Sequence, residues 1–238
     1  LCRGKKLKLI LDASHMAGTR LRGRHVGGEA DVSVFSFQAV KNLPTADSGM
    51  ICFRERDLDA EARKWTWLGI NKDTYTRTVE KEGTYRWYYD VEHPGFKYHG
   101  NSIMAAIGLV SLKYLDRDNE YRRRIAGWYD SLLKGVPGIR TVPVAPGCVS
   151  ARHLYQVLVD ARDEVMASLN GRGIYPGVHY RDNTVYGMYS YGQGTCPVAQ
   201  AASDGIVSLP LHLRLKEKDA RRVGQAMAEI VRTGRTKQ

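Results

Sequence analysis

The amino-acid sequence predicts an α/β fold in two parts, and three observations lead to that class. Short apolar segments rich in β-branched and aromatic residues alternate with longer segments whose apolar residues repeat at helical spacing. Residues 136–147 then hold three prolines and two glycines, a composition typical of a junction. A second set of strand and helix patterns follows. The length of 238 residues suits one large domain or two small ones, and either can bury a core.

The first part of the chain contains three predicted strands. Lys8–Leu11 (KLIL) is expected to be a buried strand, which Asp12 closes. Asp31–Phe37 (DVSVFSF) is too continuously apolar for an exposed strand, and Gly49–Phe53 (GMICF) is a further short strand. Since such strands are typical of sheets that are covered on both faces, we expect a parallel-type sheet.

Helical patterns follow these strands. Arg54–Lys64 is helical in composition, and Ser102–Leu115 has apolar residues at helical spacing, whereas Trp65–Pro94 is aromatic and irregular. Asn119–Lys134 predicts a long amphipathic helix. We place a domain boundary near the start of this helix, so that residues 1–117 belong to one α/β domain and residues 118–238 form a smaller α/β domain.

The second part repeats the alternation of strand and helix. Arg152–Val159 (RHLYQVLV) predicts a strand, and Asp163–Asn170 predicts a helix that ends at Gly171. Two more helices are predicted at Pro197–Ile206 and Lys216–Val231, separated by the segment SLPLH.

The composition excludes some classes of protein. No run of eighteen apolar residues exists, so we predict no membrane span. The four cysteines have no close spacing, which indicates a cytoplasmic protein without a metal site or a disulfide framework. The formal net charge of +11 suits nucleic acid or a smaller anion. Because no nucleic-acid-binding motif accompanies the dispersed basic residues, we expect no nucleic-acid partner, and the positive field would attract a phosphorylated substrate.

The glycine-rich loop GTRLRGRH follows the first strand and has the glycine spacing of a phosphate-binding P-loop. Arg24 and His25 stand where that motif has lysine and then serine or threonine. Without the lysine and the magnesium-binding hydroxyl the motif fails, so we interpret these glycines as turn formers.

Polar residues at the ends of two predicted strands suggest a site. Asp12 and His15 follow the first strand, and Ser36 is followed five residues later by Lys41. Each has an ordinary alternative: a turn-forming aspartate, a structural histidine, a solvated lysine. Together they match the needs of pyridoxal phosphate (PLP), which uses a lysine amine for a Schiff base, a carboxylate at the pyridine nitrogen and hydroxyls around the phosphate. Composition alone does not choose this proposal over others.

A resemblance to a known family adds to these observations. The segment DASHMAGTRLRGRHVGGEADVSVFSFQAVKNLPTADSGMI is similar to the core of the DegT/DnrJ/EryC1/StrS sugar aminotransferases. The similarity continues in order through WYYDVEHPGFKYHGNSIMAAIGLVSLKYLDRDNEYRRRIAGWY, GIYPGVHY and IVSLPLHLRL, and so covers nearly the whole chain. It implies a PLP-dependent transferase of fold type I, the aspartate-aminotransferase-like α/β fold, in which residues 1–117 are the remainder of the large PLP-binding domain.

The resemblance also implies roles for single residues. Lys41 would carry the Schiff base, Asp12 would hold the pyridine nitrogen protonated, and His15 would lie beside the cofactor ring. Ser36 would bind the cofactor phosphate, and Gln38, where many members have histidine, would line the same region.

Three further residues take roles by the same resemblance. Lys97 stands where many members have an asparagine that reaches the cofactor phosphate of the neighbouring subunit, which implies a homodimer. His179 and Tyr180 match a pair near the sugar substrate.

The chain also departs from the family pattern. The family's Gly-Gly pair is Ser48-Gly49, and Gly100 stands where methionine is common. Family members carry a further N-terminal portion, with backbone that grips the phosphate and an aromatic residue that stacks on the ring. The resemblance therefore implies an N-terminally truncated member, either a fragment or half of a split protein.

The function implied is amino transfer from an amino acid, L-glutamate by family analogy, to a keto sugar carried on a nucleotide. Two alternatives remain open. One is a PLP-dependent sugar dehydratase, although those relatives replace the Schiff-base lysine with histidine and this chain has Lys41. The other is a non-catalytic fragment or regulator of the same fold.

Overall fold

A computed structural model describes residues 1–72 and 88–235 of the chain. These residues form two compact units, Leu1–Leu115 and Asp116–Gln238. In the part of the chain that is described, no helix is both long enough and apolar enough to cross a membrane.

The first unit is built on a three-stranded sheet of β1 (Ile10–Asp12), β4 (Val32–Ser36) and β5 (Gly49–Phe53). β1 runs parallel to β4, with Asp12 opposite Val34, and β4 runs antiparallel to β5. Between β1 and β4, the short strands β2 (Arg20–Leu21) and β3 (Arg24–His25) form a hairpin. Its turn residues both have positive φ, 51° at Arg22 and 81° at Gly23, as a two-residue hairpin turn requires.

The sheet corrects one expectation, because it is mixed rather than of purely parallel type. A parallel connection needs a crossover, usually a helix, to bring the chain back to the same end of the sheet. Residues 37–48 between β4 and β5 contain no helix, so β5 returns antiparallel to β4.

The predicted burial of these strands is also wrong for one face of the sheet. Ile10 is 68% exposed and Val34 is exposed, whereas Ser33 and Phe35 are buried. The buried face packs a small cluster around Ala13, Phe35 and Leu43, and Leu115 belongs to it. The described residues do not cover the opposite face, so β4 alternates between buried and exposed positions.

Among the described residues, two α-helices belong to the first unit. α1 (Arg56–Thr66) has acidic residues in its first turn and basic residues in its last, an arrangement that complements the helix dipole. α2 (Ser102–Leu112) begins at Asn101, whose side-chain oxygen accepts a hydrogen bond of 3.0 Å from the Met104 amide. Of the stretch predicted to be irregular, Trp65–Pro94, residues 73–87 lie outside the described part of the chain.

The second unit begins with the long helix α3 (Leu115–Leu133), the first residue of which is assigned to the first unit. An antiparallel sheet in the order β6-β8-β9 follows, with α4, α5 and α6 around it. The elements after α3 are β6 (Arg140–Thr141), β7 (Cys148–Val149), β8 (Tyr155–Leu158), α4 (Arg162–Gly171), α5 (Pro197–Gly205), β9 (Ile206–Leu209) and α6 (Glu217–Arg235). The sequence analysis missed β9, although Ile206 and Val207 are residue types that favour strands; the backbone of β9 pairs with the central strand β8.

A continuous apolar core fills the second unit. It joins α3, β8, β9, α4 and α6 through residues that are almost fully buried, among them Tyr129, Leu133 and Tyr155. Both buried phenol hydroxyls make hydrogen bonds. Tyr129 donates to the Pro210 carbonyl over 2.7 Å, and Tyr155 donates to Asp130 Oδ1 over 2.7 Å. Burial raises the pKa of both phenols, so they remain protonated donors at neutral pH.

Candidate functional site

Asp12 is the last residue of β1, at the carboxyl end of the parallel pair. Its Oδ1 accepts two hydrogen bonds from Ser14, one from the hydroxyl over 2.5 Å and one from the backbone amide over 3.0 Å. The hydroxyl bond, then the amide bond, lowers the pKa of Asp12; the charges of His15 and Lys41 lower it further, while burial opposes the shift. Asp12 is therefore an ionised carboxylate at neutral pH.

Ser36 ends β4 at the same edge of the sheet. Because Asp12 is opposite Val34, and Ser36 follows two residues later, Asp12 and Ser36 lie on the same, exposed face. The Ser36 hydroxyl accepts a long hydrogen bond of 3.4 Å from the Gln38 amide. The two predicted residues are thus brought to one sheet edge by parallel pairing.

The loop after β4 carries Lys41 back towards this edge. The Lys41 amide donates to the Gln38 carbonyl over 2.8 Å, which makes a tight turn. Bonds from Phe37 to Ser48 and from Thr45 to Phe37, each 2.8 Å, close the loop. The loop is therefore held as a fixed platform for the lysine.

The Lys41 side chain is half-buried, and the residues that follow it, Asn42 and Leu43, are buried. Within residues 1–72 and 88–235, the Lys41 amine makes no hydrogen bond or ion pair. Its charge nevertheless acts on Asp12. The arrangement places an uncommitted amine and a carboxylate near each other, with the imidazole of His15 also close enough to influence the carboxylate.

One residue of this site escaped the sequence prediction. Ser14 supplies both hydrogen bonds that lower the pKa of Asp12. The signal was present in the sequence, since an aspartate in a turn often accepts a hydrogen bond from the backbone two residues on, and that residue here is Ser14.

Lys97 lies on a segment that pairs with residues following α1. The backbone of Lys97 forms an isolated antiparallel β-bridge with that of Trp67, and the Lys97 amine lies 5.6 Å from the centre of the Trp67 ring. Gly69 and Gly95 allow the two segments to cross, because a Cβ on Gly95 would lie 2.2 Å from the Gly69 nitrogen. The predicted role of Lys97 at the cofactor phosphate of a neighbouring subunit stays a prediction.

His179 and Tyr180 lie in the second unit. His179 Nδ1 is 2.9 Å from the Ser208 hydroxyl, and the His179 carbonyl accepts a hydrogen bond from the Gln156 side chain. Gly177 pairs with β9 and lets the imidazole fold back, since a Cβ there would lie 2.9 Å from the ring. The Tyr180 ring packs edge-on at 5.1 Å from His179 and is exposed.

No group of three His, Cys, Asp or Glu side chains in the described residues could hold a metal ion. The four cysteines, Cys2, Cys52, Cys148 and Cys196, are unpaired.

The sequence profile of the DegT/DnrJ/EryC1/StrS aminotransferase family matches residues 1–228. The spore coat polysaccharide biosynthesis protein SpsC of Bacillus subtilis (strain 168) is 31% identical over 237 residues, which are 95% of this chain and 60% of SpsC.

Solved structures agree in fold. The aminotransferase TlmJ of Streptoalloteichus hindustanus superposes with a TM-score of 0.86 at 31% identity, over 98% of this chain and 61% of TlmJ. The protein Spr1654 of Streptococcus pneumoniae matches in its PMP form (TM-score 0.86, 26% identity, 95% of this chain and 59% of Spr1654). Its PLP form matches with a TM-score of 0.84 at 25% identity, over 95% of this chain and 58% of Spr1654.

The chain therefore spans about 60% of the length of the relatives it matches. Within that span the structure has the α/β fold of fold type I transferases, as the sequence predicts.

Proposed function

This chain belongs to the DegT/DnrJ/EryC1/StrS aminotransferase family, and from that premise we propose that it acts in PLP-dependent transfer of an amino group from an amino acid to a keto sugar. The observation that carries the proposal is the set of three groups at one sheet edge: the ionised Asp12, the Ser36 hydroxyl and the Lys41 amine without a partner in the described residues.

These residues fit pyridoxal phosphate chemically. A protonated pyridine nitrogen needs an anionic neighbour, and the pKa of Asp12 is lowered by Ser14, so that the carboxylate stays charged. A cofactor aldehyde needs an amine that is not committed elsewhere, and the Lys41 amine meets that condition. The phosphate needs donors, and two are available: Ser36 at the end of β4 and Gln38 on the loop that follows.

When bound, pyridoxal phosphate supplies an electron sink that makes the proton on the amino-bearing carbon of the donor acidic. Asp12 would hold the proton on the pyridine nitrogen, and His15 would lie beside the ring. Lys41 would hold the cofactor covalently and, once displaced by the donor, its Nζ would accept the proton from the donor α-carbon and deliver it to the C4′ carbon of the cofactor. Ser36 and Gln38 would keep the phosphate, and with it the ring, in place.

The nature of the substrates is a further part of the proposal. SpsC takes part in spore coat polysaccharide biosynthesis, and L-glutamate is the donor we propose by analogy with the family. A net charge of +11 supports an acceptor sugar carried on a nucleoside diphosphate, because the positive field attracts the diphosphate. His179 and Tyr180 would contact this sugar.

We also propose a homodimer in which Lys97 reaches the cofactor phosphate of the second copy. Its exposed position, on a segment fastened to residues after α1, supports this assignment. A cytoplasmic location is supported by four unpaired cysteines, since a reducing compartment keeps thiols free.

Reductive trapping tests the central assignment. The protein is incubated with pyridoxal phosphate, reduced with borohydride and mapped by peptide mass spectrometry. We expect the label at Lys41, and weaker labelling of Lys41 in the Asp12→Asn variant. Lys113, an exposed lysine in the same unit, is the internal control. Equal labelling of Lys41 and Lys113 at limiting cofactor would contradict the proposal.

Amino transfer is then tested separately. Adding L-glutamate to protein that is loaded with pyridoxal phosphate but has not been reduced should bleach the absorbance of the lysine-bound cofactor. A dehydratase or a regulator of the same fold need not respond to L-glutamate in this way, even with Lys41 labelled.

A further inference from the structure

The turn that follows β1 directs two hydrogen-bond donors of Ser14 at the carboxylate of Asp12. The Ser14 hydroxyl lies 2.5 Å and the Ser14 amide 3.0 Å from the same oxygen, Oδ1. A carboxylate oxygen has two lone pairs, so both acceptor positions of Oδ1 are filled. Within residues 1–72 and 88–235, Oδ2 of Asp12 accepts no hydrogen bond. A further donor can therefore be bound only by Oδ2.

The backbone of this turn is held from both sides, so the two donors keep their direction. The Ala13 amide donates to the Val34 carbonyl over 2.8 Å, which joins the turn to β4, and the Ala13 side chain is fully buried. The Met16 amide donates to the Ala13 carbonyl over 2.8 Å and closes the turn around Ser14. The Ser14 side chain is itself half-buried. Ser14 is therefore ordered by the fold and does not depend on a bound ligand.

The orientation of the Asp12 carboxylate matters to any donor that approaches it. The terminal torsion of an aspartate is broad, so an exposed carboxylate that makes no contact samples many orientations. A hydrogen bond from an N–H group weakens steeply when donor and acceptor are misaligned. Fixing the carboxylate before binding removes an ordering cost that would otherwise oppose binding. Ser14 can therefore raise the affinity for a donor at Oδ2 without touching that donor.

We propose that Ser14 is a positioning residue, which holds Oδ1 of Asp12 and so presents Oδ2 to the protonated ring nitrogen of pyridoxal phosphate. This inference rests on the proposed function, in which Asp12 binds that nitrogen.

The same two hydrogen bonds also withdraw charge from the Asp12 carboxylate and lower its pKa. By itself, that effect weakens the attraction of the carboxylate for a cation. Positioning and charge withdrawal therefore act in opposite directions on the affinity for the cofactor. The structure favours positioning, because both donors of Ser14 converge on one oxygen and leave the other oxygen free.

Two ligands that differ at one ring atom test the assignment. One is pyridoxamine phosphate, which binds without a covalent bond to Lys41, and the other is its isostere with a C–H group in place of the ring nitrogen. Their dissociation constants for the 238-residue chain are measured by calorimetry, for the wild type and for Ser14→Ala. We expect Ser14→Ala to weaken the binding of pyridoxamine phosphate by about threefold or more, the size of one ordered hydrogen bond. Binding of the isostere should be unchanged, because it brings no N–H group to Oδ2.

Three further variants complete the comparison. Asp12→Asn should show the same selective loss, and a larger one, because it removes the anionic partner of the ring nitrogen. Ser14→Thr keeps the hydroxyl and should retain the wild-type ratio of the two dissociation constants. The control Ser131→Ala removes an α3 hydroxyl that donates to the Trp128 carbonyl over 2.8 Å, and it should change neither constant. The ratio decides, since a general disturbance of the fold would weaken both ligands alike.

The outcomes separate this inference from the proposed function. If the wild-type chain binds neither ligand, or Asp12→Asn does not distinguish them, the proposed site is wrong and this inference fails with it. If Asp12→Asn does distinguish them, an unchanged ratio in Ser14→Ala would overturn the positioning role alone. Tighter binding of pyridoxamine phosphate by Ser14→Ala would also overturn it, because charge withdrawal would then dominate. A ratio in Ser14→Thr equal to that in Ser14→Ala would show that the hydroxyl is not the acting group.

Discussion

The two units of this chain differ in how well they are packed and in which of them holds the candidate site residues. Asp116–Gln238 contains a continuous apolar core in which side chains such as Leu133 and Met227 are fully buried. Leu1–Leu115 has a much smaller cluster, and its helix α2 buries no residue. Yet Asp12, His15, Ser36 and Lys41 are all in this less well-packed unit.

The contrast separates chemistry from stability in this chain. Buried apolar side chains stabilise the second unit, so substituting them should lower its stability. The site residues at the sheet edge of the first unit are exposed or half-buried, so substituting them should reduce catalytic activity and change stability little.

Replacing Lys41 by arginine should abolish amino transfer by the cofactor-loaded protein. The guanidinium keeps the positive charge but stays protonated at all relevant pH values, so it can neither hold the cofactor covalently nor accept the substrate proton. The free energy of unfolding should change by less than about 0.5 kcal/mol. Transfer is measured with L-glutamate as the donor and stability by urea titration. Lys113→Arg is the control, and retained transfer in Lys41→Arg would contradict the assignment.

Replacing Leu133 by alanine should lower the free energy of unfolding by about 2–5 kcal/mol, because it leaves a cavity in a closed core. The matched change Leu109→Ala, on the exposed helix of the first unit, should cost less than about 0.5 kcal/mol. Urea titration of both variants compares the two units directly. Similar losses would show that the first unit is packed as tightly as the second.

Tyr129→Phe should cost about 1–3 kcal/mol, because it removes the hydroxyl and leaves the Pro210 carbonyl without its 2.7 Å donor. Tyr191→Phe changes an exposed phenol of the same unit and should be neutral within about 0.5 kcal/mol. Thermal unfolding followed by calorimetry would show the difference. Equal unfolding midpoints for the two variants would mean that this buried hydrogen bond adds nothing to the stability of the protein.

Ser14→Ala should raise the pKa of Asp12 towards its ordinary value of 3.8, because both the largest cause of its lowering, the hydroxyl bond, and the local turn are weakened. A lowered carboxyl pKa adds stability at neutral pH that is lost as the pH falls through that lowered value. The mutant should lack this contribution at neutral pH, so its stability should depend less on pH over the acidic window. Carbon NMR titration of the Asp12 carboxyl measures the shift. Ser111→Ala, which removes a hydroxyl that donates to Pro44, should leave it unchanged.

Several features were predictable because they depend on neighbours in the sequence. The residues of β4 and β5, the helix Ser102–Leu112 and most of α6 follow from apolar periodicity and local preference. Placing Asp12 and Ser36 at strand ends followed from the same pattern. The strand β9 was missed although Ile206 and Val207 favour a strand; its pairing with β8, about 50 residues earlier, is the part that the local pattern did not contain.

By itself, the sequence determined the kinds of chemical group available and their order: an aspartate and a serine after apolar runs, then a lysine five residues further on. Tertiary structure decided that Asp12 and Ser36 share a face, because the parallel register of β1 and β4 sets which residues are opposite each other. It also decided that β5 is antiparallel and that one face of the sheet and α2 remain exposed. Exposure depends on which surfaces are packed together, and local sequence preference does not contain that information.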